Sequence, residues 1–243
     1  MASVLRAQDI VLRFPGSDRP VLDRFELSVQ PGEFIAIVGG SGVGKSTLLR
    51  VLAGLLQPQA GRITLDAAEN RRRRRRAIVF QDGRLMPWRT LDANVAFGLE
   101  GLQLTNTERN ERIDEVLRLT GLDDLRDRYP HQLSGGQVQR TGIARALAVQ
   151  PDVLLMDEPF SAVDALTRES LQDELLRVWQ LSGKAVVFVT HDITEAVFLA
   201  DRVIVLSGTP ASIATNKPIE IVRPRQRGTA EIAELVREIG SAL

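Results

Sequence analysis

A glycine-rich segment near the N-terminus has the residue types and spacing to hold a phosphate group. Residues 39–46 read GGSGVGKS and match the pattern G-x-x-x-x-G-K-[ST]. Glycine lets the backbone curl around an anion with successive N–H groups pointing inward. Lys45 supplies a positive charge for the β- and γ-phosphates, and the hydroxyl of Ser46 suits Mg²⁺. The segment therefore predicts a site for a nucleotide and its metal ion.

Two adjacent carboxylates follow a separate apolar run at residues 153–156. Because ligands of open α/β sheets gather at the carboxyl ends of the strands, we expect Asp157 and Glu158 to face the phosphates. Asp157 is the candidate partner of Mg²⁺, and Glu158 is the candidate base that orients and deprotonates an attacking water. Acidic pairs at strand ends are also common on protein surfaces, so this prediction depends on the phosphate segment.

Short apolar runs without alternation indicate the elements that position these residues. They lie at 34–38, 77–80, 153–156, 185–189 and 203–206. Such runs are typical of strands buried on both faces in a parallel sheet covered by helices. Apolar spacing predicts helices over 47–53, 107–120 and 166–181, a helix that ends near residue 148, and a short one from residue 229. Strands that alternate with helices indicate an α/β fold.

The apolar strands disappear between residues 81 and 145, which we interpret as an inserted helical lobe. We expect one domain over residues 1–243. Its nucleotide-binding core comprises residues 1–81 and 146–206, its helical subdomain residues 82–145, and a short C-terminal extension residues 207–243.

Composition and charge exclude several classes of function. The chain has no cysteine, which excludes disulfides and thiolate metal sites, and its 31 basic and 31 acidic residues leave no overall charge to attract nucleic acid. Arg6 and Asp9 precede any long apolar stretch, unlike in a signal peptide, and no apolar run approaches the roughly 18 residues of a membrane-spanning helix. We expect a cytoplasmic protein that meets a membrane only through a partner or a surface.

Residues 133–137, LSGGQ, resemble the signature motif of ATP-binding cassette (ABC) proteins. The alternative is an ordinary helix N-cap, and both descriptions can hold at once. Further resemblances follow in the family's order across roughly residues 4–206: Gln81 resembles its Q-loop glutamine, Asp164 lies in a D-loop-like SAVD, and His191 resembles its switch histidine. Phe14 lies at the position where ABC proteins have an aromatic side chain that stacks on the adenine ring of ATP. Singly, such residues are more often a solvated turn, a structural histidine or core.

The resemblance implies a P-loop NTPase core with a parallel sheet, an antiparallel β subdomain and an inserted helical subdomain. It implies an ATPase that uses ATP and Mg²⁺ in a head-to-tail dimer, with Ser134 and Gly136 of one copy touching the ATP held by Lys45 of the other. The implied catalytic residues are Gln81, Glu158, His191 and Lys45, and the implied metal site is Ser46, Gln81 and Asp157. The implied nucleotide-binding residues are Phe14, Gly39, Gly40, Ser41, Gly42, Val43, Gly44, Lys45, Ser46, Thr47, Ser134, Gly135, Gly136, Gln137 and Asp164.

A polar segment with two large apolar residues follows Gln81. Met86 and Trp88 flank a proline there, and they form either an exposed patch for a partner or, for Trp88, part of the core of the helical lobe. In ABC importers this region receives a coupling helix of the membrane permease. The segments LMPWR, from residue 85, and DEPFSAVDALTR, from residue 157, are similar to those of the ABC branch that imports nitrate, taurine and aliphatic sulfonates.

That similarity implies a peripheral subunit on the cytoplasmic face of the inner membrane. Its partners would be a second copy of the chain, permease subunits and, indirectly, a periplasmic or extracellular substrate-binding protein, with no nucleic acid. The alternative is a non-transport ABC ATPase that acts on a soluble macromolecular partner.

Residues 71–76 are six consecutive arginines. Like charges repel one another, so we expect a solvated loop between strands, with contact to anionic lipid or nucleic acid as the alternative.

Overall fold

The computed structural model describes residues 3–65, 70–161 and 163–243, without the side chain of Leu166. The strands are β1 Leu5–Leu12, β2 Leu22–Val29, β3 Phe34–Gly39, β4 Ala60–Leu65, β5 Arg76–Val79, β6 Val153–Asp157, β7 Ala185–Val189, β8 Arg202–Ser207 and β9 Ser212–Pro218. The helices are α1 Lys45–Ala53, α2 Leu91–Gly98, α3 Asn106–Leu119, α4 Gly135–Ala148, α5 Ala165–Ser182, α6 Ile193–Leu199 and α7 Ala230–Gly240. The chain divides into a first unit, residues 1–66 and 185–243, and a second unit, residues 67–184.

The first unit contains a three-stranded antiparallel sheet with the strand order β2–β1–β4. In β1 the buried residues Leu5, Ala7, Ile10 and Leu12 are separated by exposed or half-buried ones. This alternation is typical of an antiparallel sheet with one face on the core. The sheet corresponds to the antiparallel subdomain that the resemblance implied.

A second sheet of the first unit places β3 between β7 and β8, all three parallel, with β9 antiparallel to β8. Every residue of β3 and β7 is buried, as expected for apolar runs without alternation. Helix α1 packs on β3 and β7, α6 packs on β3, and α7 packs on α6. The predicted strands at 34–38, 185–189 and 203–206 are therefore confirmed.

Arg225 joins the C-terminal segment to the rest of the first unit. Its side chain is buried and donates hydrogen bonds to the carbonyls of Val197, Phe198 and Ala200 at the end of α6, at 2.7–3.0 Å. It also donates to the carbonyl of Ile221. Burial, assisted by the neighbouring Arg223, lowers the pKa of Arg225 to about 10. The segment after β8 is thus an integral part of the unit, through β9, α7 and this arginine.

The second unit contains the parallel pair β5 and β6 and the helices α2 to α5. Each helix begins at a side chain that accepts a hydrogen bond from its first turn: Thr90, Thr105, Ser134 and Asp164 respectively. Helix α5 ends at Gly183, whose φ of 62° explains the glycine there. The predicted helices over 107–120 and 166–181 are confirmed to within a residue as α3 and α5.

The expectation of a solvated arginine loop holds for only half of the run, because Arg71, Arg72 and Arg74 are exposed whereas Arg73, Arg75 and Arg76 are half-buried. Arg73 and Arg75 both bind the carboxylate of Asp152, at 2.7 and 3.1 Å, and the side chain of Arg75 is only 11% exposed. Arg74 donates to the carbonyl of Glu100, Arg72 pairs with Glu108, and Arg76 begins β5. Consecutive cations are tolerated here because Asp152, Glu108 and the carbonyl of Glu100 accept hydrogen bonds from four of them.

Among the described residues, no helix combines the length and hydropathy needed to span a membrane.

Candidate nucleotide site

The glycine-rich segment forms a loop between β3 and α1, in the context that the motif requires. A Cβ on Gly39 would lie 2.6 Å from the carbonyl oxygen of Leu206. Gly44 has φ 111°, and a Cβ there would lie 2.8 Å from a methyl group of Val21. Larger residues at these two positions would therefore clash or strain the backbone. The loop keeps its path because only glycine fits at both ends.

The loop presents the groups that a phosphate needs. Helix α1 begins at Gly44 with no side chain capping its N-terminus, so the positive end of its dipole faces the loop. Around Gly40 and Gly42 an added Cβ would meet nothing within 4 Å, which leaves open space beside the backbone. Lys45 Nζ donates to the carbonyls of Gly39 and Gly40, at 2.7 and 3.0 Å. The residues present fit a bound polyphosphate.

His191 lies at the same edge of the parallel sheet as the phosphate loop. The register pairs Ile37 of β3 with Val189 of β7, so Gly39 and His191, each two residues further on, are level with one another. His191 is exposed. The next residue, Asp192, caps α6 by accepting from the amides of Thr194 and Glu195. The sheet register thus brings the predicted switch histidine and the phosphate loop together.

Phe14 extends from the turn that connects β1 to β2, where Leu12 pairs with Leu22. Its side chain is 42% exposed, so it is not a core residue. Val21, at the other end of this turn, is the residue whose methyl group approaches Gly44. The turn that carries Phe14 therefore lies beside the phosphate loop, with a ring face available for stacking.

The second unit gathers Gln81, Asp157 and Glu158 at one edge of its own strand pair. Val79 pairs with Met156 in the parallel register, which places residue 81 level with Glu158. Asp157 ends β6 and is half-buried, and Gln81 is exposed. These three predicted site residues come together because parallel neighbours end at the same edge of a sheet.

Glu158 has a backbone conformation that the sequence did not predict. Its φ is 45°, in the left-handed region that costs roughly 1–2 kcal/mol for a residue with a side chain. Ser161 holds this turn, since its amide and hydroxyl both donate to the Glu158 carbonyl, at 3.2 and 2.8 Å. Strain of this kind clusters at functional sites, where it fixes the direction of a side chain.

Ser134 is confirmed as a helix cap. Its Oγ accepts from the amide of Gln137 at 3.2 Å, and the Gln137 side chain accepts from the Ser134 amide at 2.8 Å, forming a capping box. Ser134 and Gly135 are exposed, whereas Gly136 is buried, with Thr167 and Leu171 3.4 Å from where its Cβ would lie. The N-terminus of α4 is thus exposed at Ser134 and Gly135, and its first turn contains no acidic residue.

Asp164 also has a structural role, because its carboxylate accepts from the amide of Thr167 at 3.0 Å and caps α5. Ala162, in the same D-loop-like segment, lies outside the described residues.

Trp88 is not part of the core of the helical lobe, because its side chain is 73% exposed. The segment that carries it is held by Asn94, a fully buried residue of α2. The Asn94 side chain accepts from the amide of Met86 and donates to the carbonyls of Met86, Arg89 and Thr90, at 2.7–3.1 Å.

Arg145 holds the start of the same segment by donating to the carbonyls of Gly83 and Arg84. Burial lowers the pKa of the Arg145 guanidinium, although the nearby Asp82 opposes that shift. Sequence reasoning missed both Asn94 and Arg145. A lone polar residue in a helix gave no signal of their partners.

No group of three or more His, Asp or Glu side chains with metal-binding geometry occurs in the part of the chain that the structure describes. Mg²⁺ usually takes only one or two carboxylates and completes its shell with water and phosphate oxygens. Ser46 in the first unit and Asp157 in the second each carry a hard oxygen donor of the type that Mg²⁺ prefers.

Comparison with known protein families identifies the family to which this chain belongs. Residues 22–161, more than half of the chain, match the family model described as ABC transporter. The chain belongs to the ABC transporter family. The matched stretch begins with β2 and includes the phosphate loop, LSGGQ and the Asp157–Glu158 pair. As a member of this family the chain is an ATPase that uses ATP with Mg²⁺.

Several curated relatives in the ABC transporter family carry names of import proteins. The chain is 45% identical over 93% of its length to the taurine import ATP-binding protein TauB of Pseudomonas syringae, of which 87% is covered. It is 49% identical over 88% of its length to the aliphatic sulfonates import ATP-binding protein SsuB 1 of Xanthomonas axonopodis, of which 86% is covered. The nitrate import ATP-binding protein NrtC of Synechococcus elongatus is 45% identical over 89% of the chain, which covers 34% of that longer protein.

Solved ABC cassettes confirm the predicted fold class. The cbiO1 protein of Clostridium perfringens, described as part of the ABC transporter complex cbiONQ, aligns with a TM-score of 0.79 and 29% identity over 90% of both chains. The MJ0796 cassette, solved as a dimer in a post-hydrolysis state with ADP and Pi, aligns with a TM-score of 0.73 and 31% identity over 90% of this chain and all of that one.

Proposed function

We propose that the chain is the ATP-hydrolysing subunit of an importer for a small oxyanion, with an aliphatic sulfonate, taurine or nitrate as the cargo class. The observation that carries the proposal is the coexistence of two glycine-bearing helix N-termini, at α1 and α4, in one ABC-family chain. One suits the phosphates of a nucleotide held by its own chain. The other suits a nucleotide held by a second copy. Relatives named for taurine, sulfonate and nitrate import support the cargo class.

In the first unit we assign binding roles. The phosphate loop, with Lys45 and the amides that begin α1, holds the β- and γ-phosphates, and Ser46 takes a place in the Mg²⁺ shell. Phe14 stacks on the adenine ring. His191, level with the loop, contacts the γ-phosphate and reports its loss.

In the second unit we assign the hydrolytic roles. Glu158 orients the water and accepts its proton, while Asp157 and Gln81 assist at the metal ion. Bound Mg²⁺ supplies charge that neutralises the β- and γ-oxygens as the terminal bond breaks. The strained backbone of Glu158 and the grip of Ser161 on its carbonyl support a fixed direction for this carboxylate.

The proposed working form is a head-to-tail dimer with two ATP molecules between the copies. Ser134, Gly135, Gly136 and Gln137 of one copy approach the γ-phosphate bound by the other, with Asp164 at the same seam. The uncharged first turn of α4 suits this role, because a helix N-terminus attracts an anion and nothing acidic there repels it. ATP then joins the copies, and hydrolysis with phosphate release separates them.

We further propose that Met86 and Trp88 dock the permease and that the protein is peripheral on the cytoplasmic face of the membrane. An exposed tryptophan on a loop fixed by Asn94 and Arg145 is a rigid apolar anchor of the kind found at binding hot spots. A substrate-binding protein would contact the assembly only through the permease. We also propose the following domain organisation: a nucleotide-binding core at 1–81 and 146–206, a helical subdomain at 82–145 and a C-terminal extension at 207–243.

Purification from native membranes tests the transport function. The wild-type chain should be recovered with integral membrane subunits, and Trp88→Ala should lose them while its basal ATPase activity stays unchanged. Leu55→Ala, which removes another exposed apolar side chain, is the matched control and should keep them. Recovery of the wild type with ribosomes or a soluble complex, and never with an integral membrane protein, would favour the non-transport alternative.

A further inference from the structure

The second unit contains a cleft that the ATPase assignment does not use. Its volume is about 670 Å³, and it lies where α3, α4 and α5 end. Its walls come from the C-terminal halves of these helices, from Gln150 and Lys184 just after α4 and α5, and from Arg73. The volume falls in the range of roughly 300–1,000 Å³ that is typical of sites for small molecules.

The cleft is strongly cationic. Arg73, Arg112, Arg118, Arg177 and Lys184 line it, against the single carboxylate of Glu115. Helix C-termini carry partial negative charge and attract cations, so part of this charge has a structural explanation.

Two of the five cations have protein partners. Arg73 forms two hydrogen bonds with Asp152, at 2.7 and 3.3 Å. Arg177 pairs with Glu174 at 2.6 Å and donates to the Leu119 carbonyl at 2.5 Å, which caps the end of α3. These two cations therefore do not need a ligand.

The other three cations are different. Within the described ranges, Arg112, Arg118 and Lys184 form no side-chain hydrogen bond or ion pair. Nη1 of Arg112 is buried and has no hydrogen-bond partner there. Burial and, to a smaller extent, the adjacent Arg72 lower the pKa of Arg112, and Glu115 opposes that shift.

Apolar side chains form much of the rest of the wall, together with Gln150 and Ser182. Leu119, Leu147 and Leu181 line the cleft, and Leu181 is 66% exposed. Inorganic phosphate would occupy only a small part of this volume and would leave these surfaces in water. A ligand with an apolar or aromatic portion would cover them.

We propose that this cleft binds a small organic phosphate, with its dianionic group at Arg112, Arg118 and Lys184 and its apolar portion against the leucines. The positive charges of these three side chains exceed the negative charge of the Glu115 carboxylate, and a dianion would balance the net positive charge that remains. Guanidinium groups suit the planar, two-point recognition of phosphate oxygens. No residue of the phosphate loop lines this cleft.

Isothermal titration with phenyl phosphate, at a mildly alkaline pH where it is a dianion, tests the proposal. Wild type should bind it with a submillimolar Kd, and benzenesulfonate, which has the same ring and one charge, at least several-fold more weakly. The variant Arg112→Gln/Arg118→Gln/Lys184→Gln should weaken phenyl phosphate binding by about tenfold or more, because three charge-assisted contacts are lost. Equal affinity for the two probes would contradict the proposed preference for a dianionic group. Absence of phenyl phosphate binding by the wild type would contradict the proposal that the cleft is a ligand site.

Two controls locate the binding. Lys45→Ala should leave phenyl phosphate affinity unchanged; if affinity disappears, the probe was in the phosphate loop. Arg6→Gln/Arg62→Gln/Arg237→Gln removes the same net charge from exposed positions of the first unit and should also have no effect. A loss equal to that of the cleft variant would mean that only overall charge matters. Circular dichroism and basal ATPase activity should be normal in both triple variants.

A third arm separates a soluble ligand from a lipid headgroup. Phosphatidic acid vesicles present a phosphate monoester on a surface that cannot enter a cleft as a free molecule does. Sedimentation of these vesicles should recover equal amounts of wild type and cleft variant. Recovery that depends on the three cations, with no binding of phenyl phosphate, would overturn the proposal in favour of a membrane surface.

Discussion

Glu158 combines a carboxylate at the end of β6 with a left-handed backbone held by Ser161. Glu158→Gln keeps the size and the turn but removes the proton acceptor. We expect ATP hydrolysis to fall by about 100-fold or more while ATP affinity is retained, since general base catalysis contributes factors of about 10²–10⁴. Single-turnover hydrolysis and nucleotide titration measure the two quantities. Glu231→Gln, at an exposed position in the first turn of α7, is the control; normal turnover in Glu158→Gln would assign the base elsewhere.

Ser134 has a visible structural role and a proposed catalytic one, and two substitutions separate them. Ser134→Ala removes the cap and should lower the free energy of unfolding by about 1 kcal/mol. Ser134→Asp keeps a good cap, so stability should change by less than about 0.5 kcal/mol, but its charge would repel the γ-phosphate of the second copy's ATP. ATPase activity should therefore fall in the stable aspartate variant. Wild-type ATPase activity in Ser134→Asp would show that Ser134 acts only as a helix cap and has no role in ATP hydrolysis.

At the scale of single residues, the sequence predicts what a motif encodes. Lys45, Ser46, Asp157 and Glu158 follow from residue type and spacing, because phosphate and Mg²⁺ need particular atoms after particular strands. The positive φ of Glu158 does not follow, since non-glycine residues adopt it only when the surrounding structure imposes it.

The element that presents Trp88 depends on a residue with no motif. Asn94 connects α2 to three residues of the preceding loop with four hydrogen bonds. Asn94→Leu has nearly the same shape but leaves buried backbone groups unpaired, at about 1–3 kcal/mol each. We expect the free energy of unfolding to fall by about 2–4 kcal/mol, measured by urea denaturation.

Trp88→Ala in the same assay should change stability by less than about 0.5 kcal/mol, because the side chain is already in solvent. A large loss with Trp88→Ala and none with Asn94→Leu would reverse the assignment of anchor and support. The pair thus distinguishes a residue that shapes the loop from one that the loop displays.

The arginine run shows why elements are only partly predictable. Its strand and helix neighbours follow from apolar patterns, but the run itself was expected in solvent. Asp152, which neutralises Arg73 and Arg75, lies 77 or more residues further along the chain. No local pattern marks such a partner, because it becomes a neighbour only when β5 pairs with β6.

At the scale of the whole molecule, the layered α/β fold was predictable, whereas the integration of the C-terminus was not. Parallel strands that are buried on both faces can be recognised in the sequence as uninterrupted apolar runs. The strand β9 has an exposed or half-buried pattern, and it forms because β8 offers an edge. Arg225 reads as a surface residue in the sequence, yet it is buried because five backbone carbonyls converge on its guanidinium.

The proposed dimer makes a prediction that no single chain can fulfil. If each site uses Lys45 of one copy and Ser134 of the other, Lys45→Ala and Ser134→Asp are both inactive alone. Mixed together, they form heterodimers in which one site has two altered residues and the other has none. Activity should return to about a quarter of the wild-type level if copies pair at random and sites act independently.

The matched control mixes Lys45→Ala with the double variant Lys45→Ala/Ser134→Asp, a pair that leaves no intact phosphate loop and should stay inactive. Steady-state phosphate release measures both mixtures against the separate variants. If the first mixture only equals the sum of its components, each copy contains its whole reaction centre and the head-to-tail arrangement is wrong. If only the first mixture recovers, the catalytic unit is two chains, because complementation requires that Lys45 and Ser134 come from different copies.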